Sequence, residues 1–120
     1  MWLDCDGKIV RFNEFMARLS GYDLEEVKGK DWFETFLPHD DHDRVRDVFE
    51  LACRGTRTCG NVNPIITKDG RRRLIEWYDA ELTDATGQMI GLLCTGYDIT
   101  ARQKTEDDLR MSERRMQAIL

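Results

Sequence analysis

The stretch LLCTGYDITARQKTEDDLR, residues 92–110, changes character at its centre. Leu92, Leu93 and Cys94 read as a buried strand, whereas nothing from Ala101 to Asp108 can build a core. Thr100 with Gln103 three residues on is a capping-box pattern, so a helix starts where the strand ends. Beyond it, Leu109 and Met116 stand seven apart, and Ile119 and Leu120 continue an apolar edge among charged residues. That spacing suits a coiled-coil seam, although Arg102, Glu106 and Glu113 fill places that a strong seam makes apolar. A helix this polar is marginal alone in water and needs a partner. The chain therefore divides into a domain at 1–99, with its N-terminal edge expected to be truncated, and an exit helix at 100–120.

Upstream of the exit, Asn61–Thr67, Arg72–Leu82 and Gln88–Asp98 are strand candidates, separated by the turn sequences KDG and TDATG that suit antiparallel hairpins. Before them, HDDHDRVRDVFELACRG reads as the longest helix within the domain, with Val45, Val48, Phe49 and Ala52 as its apolar stripe. Asp40 or Asp41 is expected to cap it, and Gly55 to end it. Three short helices precede it: one opened by Asn13 with Phe15, Met16 and Leu19 at helical spacing, one with the Asp23/Glu26 capping box, and DWFETF with Trp32, Phe33 and Phe36 buried. At the start, Trp2–Asp4 and Lys8–Phe12 flank the turn DCDG as a hairpin. Strands clustered at both ends with helices between them give α+β with an antiparallel sheet.

The 120 residues suffice for one modest core, and 41% hydrophobic with 34% charged residues is a globular composition. No apolar run approaches the ~20 residues that cross a bilayer, so no direct membrane contact is expected. The net charge of -5 argues against nucleic acid as a partner. Four cysteines without a C-x-x-C pair read as reduced thiols of a cytoplasmic protein, Cys94 being a small buried hydrophobe and Cys53 with Cys59 the pair to test. No phosphate-binding loop, H-E-x-x-H or G-x-S-x-G is present, and the two histidines have no serine or cysteine near them, so no catalytic residue is expected. His39 and His42 with Asp40, Asp41 and Asp43 are metal-ligand types, but an acidic helix start explains them and no metal site is expected.

The segments DCDGKIVRFN, SGYDLEEVKGKDWFETFLPHDD, TKDGRRRLIEW and GYDITARQ, in this order and spacing, resemble the PAS sensory-box family over nearly the whole chain. The resemblance implies a five-stranded antiparallel sheet with short helices over one face, enclosing a small cavity, and a C-terminal signalling helix. It also implies a sensor within a bacterial multidomain protein whose output is a histidine kinase or a GGDEF-type diguanylate cyclase. The segment LRMSERRMQAIL looks like the lead-in to a further PAS domain.

Within that family no prosthetic group is expected here. Where flavin photoreceptors of the light-oxygen-voltage type carry their reactive cysteine, this chain has Trp32, and their flavin-holding polar positions match Ile65, Ile75 and Gly96. No side chain at those three positions makes a directional hydrogen bond. The heme-ligand position of oxygen-sensing relatives falls on Val45, three residues after His42. What remains is an apolar pocket. Strand alternation and the resemblance point Ile75 and Trp77 inward, with Ile65, Leu92, Cys94 and Gly96 from neighbouring strands and Trp32, Phe36, Val45 and Phe49 from the helices. These side chains either fill a dry core or line a site for a small apolar or aromatic metabolite. Asp79, if it faces inward, needs a partner such as an arginine or a ligand amine, unless a bulge turns it outward.

Asp98, in the resemblance, ties the helix start back to the domain, and Ile99 holds the junction to the sheet; with Thr100 and Gln103 they form the expected signal-transmission junction. The expected function is relay of a ligand- or partner-induced change through the C-terminal helix of a homodimer to downstream PAS or output domains of the same chain. The alternative is a ligand-free dimerisation or protein-interaction module.

Overall fold

The computed structural model describes residues 1–56 and 58–119, with side chains given except at 59 and 117–119. The Cys59 thiol, the Ile119 side chain and Leu120, each singled out above, lie outside the described residues.

Two short strands, β1 (Trp2–Leu3) and β2 (Ile9–Arg11), are joined by the DCDG turn. The Asp4 carboxylate closes that turn by accepting from the amides of Asp6 and Lys8, both at 2.9 Å. Four helices follow: α1 (Glu14–Ser20), α2 (Leu24–Val27), α3 (Trp32–Phe36) and α4 (His42–Cys53). Asn13 caps α1 by accepting from the Met16 amide at 3.1 Å, and Gly21 ends it in the left-handed conformation. The Glu26 carboxylate reaches back to the Asp23 amide at 2.9 Å, as the capping-box spacing predicts. Helix α4 differs from its expected start: neither Asp40 nor Asp41 caps it. Pro38 opens a 3₁₀ turn over His39–Asp41 that runs directly into α4, and the Asp41 carboxylate binds Arg44 at 3.0 Å instead.

The strands β3 (Cys59–Ile66), β4 (Arg72–Thr83) and β5 (Met89–Asp98) then complete one five-stranded sheet in the order β2-β1-β5-β4-β3, with every pair antiparallel. Helix α5 (Thr100–Ile119) follows β5, the central strand of the sheet. The α+β architecture, helices over one face and exit helix match the expectation.

Period-two alternation sorts the sheet's two faces. Ile65, Ile75, Trp77, Leu92 and Cys94 are buried under the helices, while Val62, Tyr78, Leu93 and Tyr97 are exposed on the far side. The helical half of the core is Met16, Val27, Trp32, Phe33, Phe36, Phe49 and Ala52. Phe15, expected on the apolar side of α1, is 53% exposed instead. It borders a space between α1 and the sheet without being covered, while Met16, the next residue, is buried in the core.

The β1–β2 turn also fixes the linker between α2 and α3. Gly7 C=O accepts from the Trp32 amide at 2.9 Å, and Ile9 exchanges bonds with Lys30 and Gly29 at 3.0 and 2.7 Å. Gly7 has φ +80°, and a Cβ there would lie 2.7 Å from the Phe33 ring. Gly7→Ala is therefore expected to destabilise the domain by about 1–3 kcal/mol, through strain and the displaced ring. Thermal unfolding checks this, and an unchanged midpoint would refute the packing described.

Candidate functional site

Two features of the inner sheet face converge on β4 and β5: a cavity against α3 and α4, and the junction from which α5 departs.

The cavity has about 50 Å³ of free space, and Trp32, Val45, Phe49, Trp77, Asp79 and Cys94 from the expected set border it. Leu3, Phe33, Arg44, Val48, Asn61 and Asn63 also border it, none of them anticipated. Asn61 and Asn63 share the inward parity of Ile65 on β3, so alternation alone was enough to find them. Leu3 and Val48 carried no comparable signal, because they arrive through packing of distant segments.

Five expected lining residues are placed differently. Phe36 is fully buried between the Tyr22 and Trp32 rings, with centroids at 5.3 and 4.8 Å, and it serves the core beneath the cavity. Ile65 and Leu92 are likewise closed off by close packing. Ile75 and Gly96 instead border a second space of about 150 Å³ beside α1, with Met16, Leu19 and Thr95. Trp77 and Cys94 line both spaces, so the Trp77 indole is the partition between them.

The position of that indole is set by a neighbour without a side chain. Gly96 lies opposite Trp77 in the β4–β5 register, and a Cβ on it would come 2.7 Å from Trp77 Cζ3. The ring therefore lies against the Gly96 backbone while Trp32 packs edge-on at 5.4 Å. Trp77 Nε1 is buried with no hydrogen-bond partner among the described residues, which costs about 1–3 kcal/mol for a polar group. Asp79 faces inward, half-buried, and its Oδ2 accepts from the Thr58 hydroxyl at 3.0 Å. Of the partners expected for it, an arginine or a ligand amine, no arginine ion pair with Asp79 is found among the described residues.

Burial pushes the Cys94 thiol well above its ordinary value, with the Asp79 carboxylate adding to the effect. Burial first, and then Cys5 and the carboxylates of Asp79 and Asp4, push the Cys53 thiol up to about 11. Cys53 thus meets Cys5 across the β1–β2 turn. His39 and His42 pack ring to ring at 5.2 Å, with His42 Nε2 3.0 Å from the Leu37 carbonyl oxygen. Among the described residues no cluster of three His, Cys, Asp or Glu side chains forms a metal cage, and no helix is long and apolar enough to cross a membrane.

At the junction, the main chain of Leu74 on β4 is held at both polar groups. Its carbonyl accepts from the Ile99 amide and its amide donates to the Thr100 hydroxyl oxygen, each at 2.8 Å. That hydroxyl donates to Asp98 Oδ1 at 2.6 Å, and the Thr100 amide donates to the same oxygen at 3.0 Å. Arg73 grips the other carboxylate oxygen through Nε and Nη2, at 2.9 and 2.6 Å. Ile99 is buried beneath this network. The capping box does not form: Asp98 caps α5, and the Gln103 side chain donates to Asp107 at 3.2 Å. The Gln103 amide donates to the Ile99 carbonyl at 2.9 Å instead of to Thr100, whose hydroxyl is turned to β4 and Asp98. Arg73 shares the inward parity of Ile75 and Trp77 at the end of β4, which made it findable. A second tie, Arg102 to Glu76 at 3.5 Å, links the first turn of α5 to the outer sheet face.

Burial works to raise the Asp98 carboxyl, but the bonds from Thr100 and Arg73 outweigh it and hold it below its ordinary value of 3.8.

Comparison with known proteins places this geometry. The family model described as "PAS fold" matches residues 1–104. No curated protein matches the sequence. Among solved structures, the chain is similar to the PAS domain of the Cronobacter turicensis RpfR quorum-sensing receptor in complexes with C12:0 and with BDSF. Each shows 27% identity, 82% of this chain and 90% of that chain covered, and a TM-score of 0.71. A PAS domain from Colwellia psychrerythraea has the same TM-score at 24% identity, with 83% and 84% covered.

Gly96→Ala is expected to displace the Trp77 ring, because the added carbon has only indole and Ile75 atoms before it. A blue or red shift in tryptophan emission, together with a stability loss of about 1–3 kcal/mol, would report it. Unaltered emission and stability would show that the ring does not depend on that contact.

Proposed function

The chain belongs to the PAS family of sensory domains, and from that premise we propose that it relays a change in its sheet through α5 to a downstream output. The observation that carries the reading is the double hold on Leu74. A single residue of β4 is bonded to Ile99 and Thr100 on either side of the point where strand becomes helix. A shift of β4 by a fraction of an ångström must either break these bonds or carry the start of α5 with it. Rigid elements that move together in this way convert a small local displacement into a rotation or tilt of the emerging helix.

The helix itself supports the relay. Leu109, Met111 and Met116 are exposed at 60%, 54% and 64%, and most of the remaining positions are charged. Leu109 and Met116 are one heptad apart, so pairing with a second copy of α5 covers both. We infer a homodimer in which the two exit helices lie side by side. The output is a GGDEF-type cyclase or a histidine kinase of the same bacterial chain, in the cytoplasm, with further PAS modules between. The domain works without flavin or heme: Trp32 stands where the flavin-reactive cysteine would be, and Trp77 covers Gly96.

A second reading, a module that dimerises without any ligand, draws on the small size of the cavity. Its ~50 Å³ is far below the ~300–1,000 Å³ of drug-sized ligand sites. The relay needs no such ligand, because a partner domain that moves β4 produces the same displacement at the junction.

Asp98→Asn and Thr100→Val in the full-length protein are expected to uncouple output from its stimulus, changing the regulated activity several-fold for a coupling of ~1–3 kcal/mol. Output regulation equal to wild type in both variants would sink the relay. The isolated domain gives a separate check. Asp98 has a depressed carboxyl, so the stability it contributes is fully present above its ordinary value of 3.8 and is lost as pH falls below that. The difference in urea midpoint between wild type and Asp98→Asn should hold constant near neutrality and shrink below about pH 4.

A further inference from the structure

Two segments far apart in sequence converge on the turn end of the β4–β5 hairpin. One is the β1–β2 turn. A Cβ on Gly91 of β5 would collide with the Leu3 carbonyl oxygen and stand 3.2 Å from Asp4 Cα. In the same turn the Cys5 thiol lies 3.9 Å from the Met89 carbonyl oxygen. The other segment is the end of α4, where a Cβ on Gly55 would stand 3.3 Å from Glu81 Oε1. Glu81, Leu82 and Thr83 pair with Leu92, Gly91 and Met89, so both segments meet the same few rungs of the ladder. Each brings one cysteine: Cys5 in the turn, and Cys53 as the last residue of α4. The two thiols lie within hydrogen-bonding reach of each other.

The two sulfurs differ in setting. Cys5 is exposed, whereas Cys53 is half-buried and packs against the core. Burial first, then Cys5 and the carboxylates of Asp79 and Asp4, hold the Cys53 thiol protonated at neutral pH. The thiolate is the attacking form of a cysteine, so first contact with an oxidant falls to Cys5, and Cys53 is the resolving partner. The carboxylates of Asp4 and Asp79 beside the pair favour a neutral oxidant over an anionic one.

We propose that Cys5 and Cys53 form a reversible, peroxide-responsive dithiol that closes to a disulfide tying the end of α4 to the β1–β2 turn. The Cys5 thiolate attacks one oxygen of hydrogen peroxide, and the O–O bond breaks. Cys5 becomes a sulfenic acid, and the hydroxide released takes up the proton that Cys5 lost on ionising. The Cys53 sulfur then attacks the sulfenic sulfur: the S–S bond forms, the S–O bond breaks, and the departing hydroxide takes the Cys53 proton. Two electrons pass from the sulfurs to the peroxide, which leaves as two waters, and a thiol reductant reverses the change. Leu3, two residues before Cys5, pairs with Leu92, so the tie reaches β5, the strand from whose end α5 starts. This adds a chemical input to the domain that the relay itself does not require.

The test treats this chain with hydrogen peroxide, blocks the remaining thiols with N-ethylmaleimide and maps tryptic peptides by mass spectrometry. Trypsin puts the four cysteines on separate peptides, 1–8, 47–54, 58–68 and 74–102. The expected product is peptide 1–8 joined to 47–54, lost after dithiothreitol. Cys53→Ser is expected to stop at the Cys5 sulfenic acid, trapped by dimedone, and Cys5→Ser to slow oxidation of Cys53 at least about tenfold. The wild-type map needs no variant, so it decides the matter even where a variant fails to fold. Peptide 47–54 joined instead to 58–68 or 74–102, disulfides between chains only, or Cys5 and Cys53 both still blocked by maleimide after peroxide would each overturn the assignment. The chemistry is read on this chain alone, so its failure is separable from failure of the relay, which is read as output of the full-length protein.

Discussion

The main chain of Leu74 has one amide and one carbonyl, and both are committed to the segment that leaves the sheet. This constraint decides how the domain ends. The Ile99 amide still makes the next ladder bond to Leu74, but the returning bond is lost: the Leu74 amide goes to the Thr100 hydroxyl, and the Ile99 carbonyl accepts from the Gln103 amide as the first bond of the helix. The Thr100 hydroxyl faces Leu74 and not the first turn of the helix; Asp98 accepts from the Thr100 amide, and Arg73 holds its other oxygen. Neutralising the carboxylate would remove the ion pair and weaken the bonds at the helix start, since one group provides both. The exit is therefore a single unit of five residues: Arg73 and Leu74 on β4, Asp98 on β5, Ile99 and Thr100. Its backbone bonds resist salt screening, which weakens the more exposed Arg102–Glu76 pair.

The same strand that holds the exit also carries the partition of the interior. Ile75, paired in register with Asp98, and Trp77, paired with Gly96, alternate inward along β4. Whatever displaces Trp77 acts on a residue three positions from Leu74, through a ladder with regular bonding and no bulge in between. Distance alone makes no coupling. Here the physical link is a continuous antiparallel ladder whose end is bonded to the helix.

Much of this was legible in the sequence, and the misses have physical causes. Strand alternation with the KDG and TDATG turns located β3, β4 and β5 within two residues, because side-chain direction in a half-buried sheet follows parity. The importance of Asp98, Ile99 and Thr100 was also readable, since a polar helix start after an apolar strand is a local pattern. Their bonding was not: the S/T-x-x-Q spacing of Thr100 and Gln103 is a local rule, and a tertiary partner, the Leu74 amide, overrode it. The cavity was half legible. Trp77, Asp79 and Cys94 followed from parity, but whether Phe36 or Phe33 faces open space depends on how α3 rolls against α4, which no periodicity of five residues determines. Gly96 was read as a pocket wall; it borders the space beside α1 and also leaves room for an indole, which no pattern signalled.

The central claim is that the interior of the sheet and the start of α5 form one mechanical unit. Amide hydrogen exchange on wild type and Trp77→Phe, compared residue by residue at equal global stability, tests it directly. A unit of this kind predicts that the change at Trp77 alters protection of the Ile99, Thr100 and Gln103 amides several-fold while α2 is unaffected. Altered exchange confined to the residues packed on Trp77, with Ile99 and Thr100 unchanged, would contradict it.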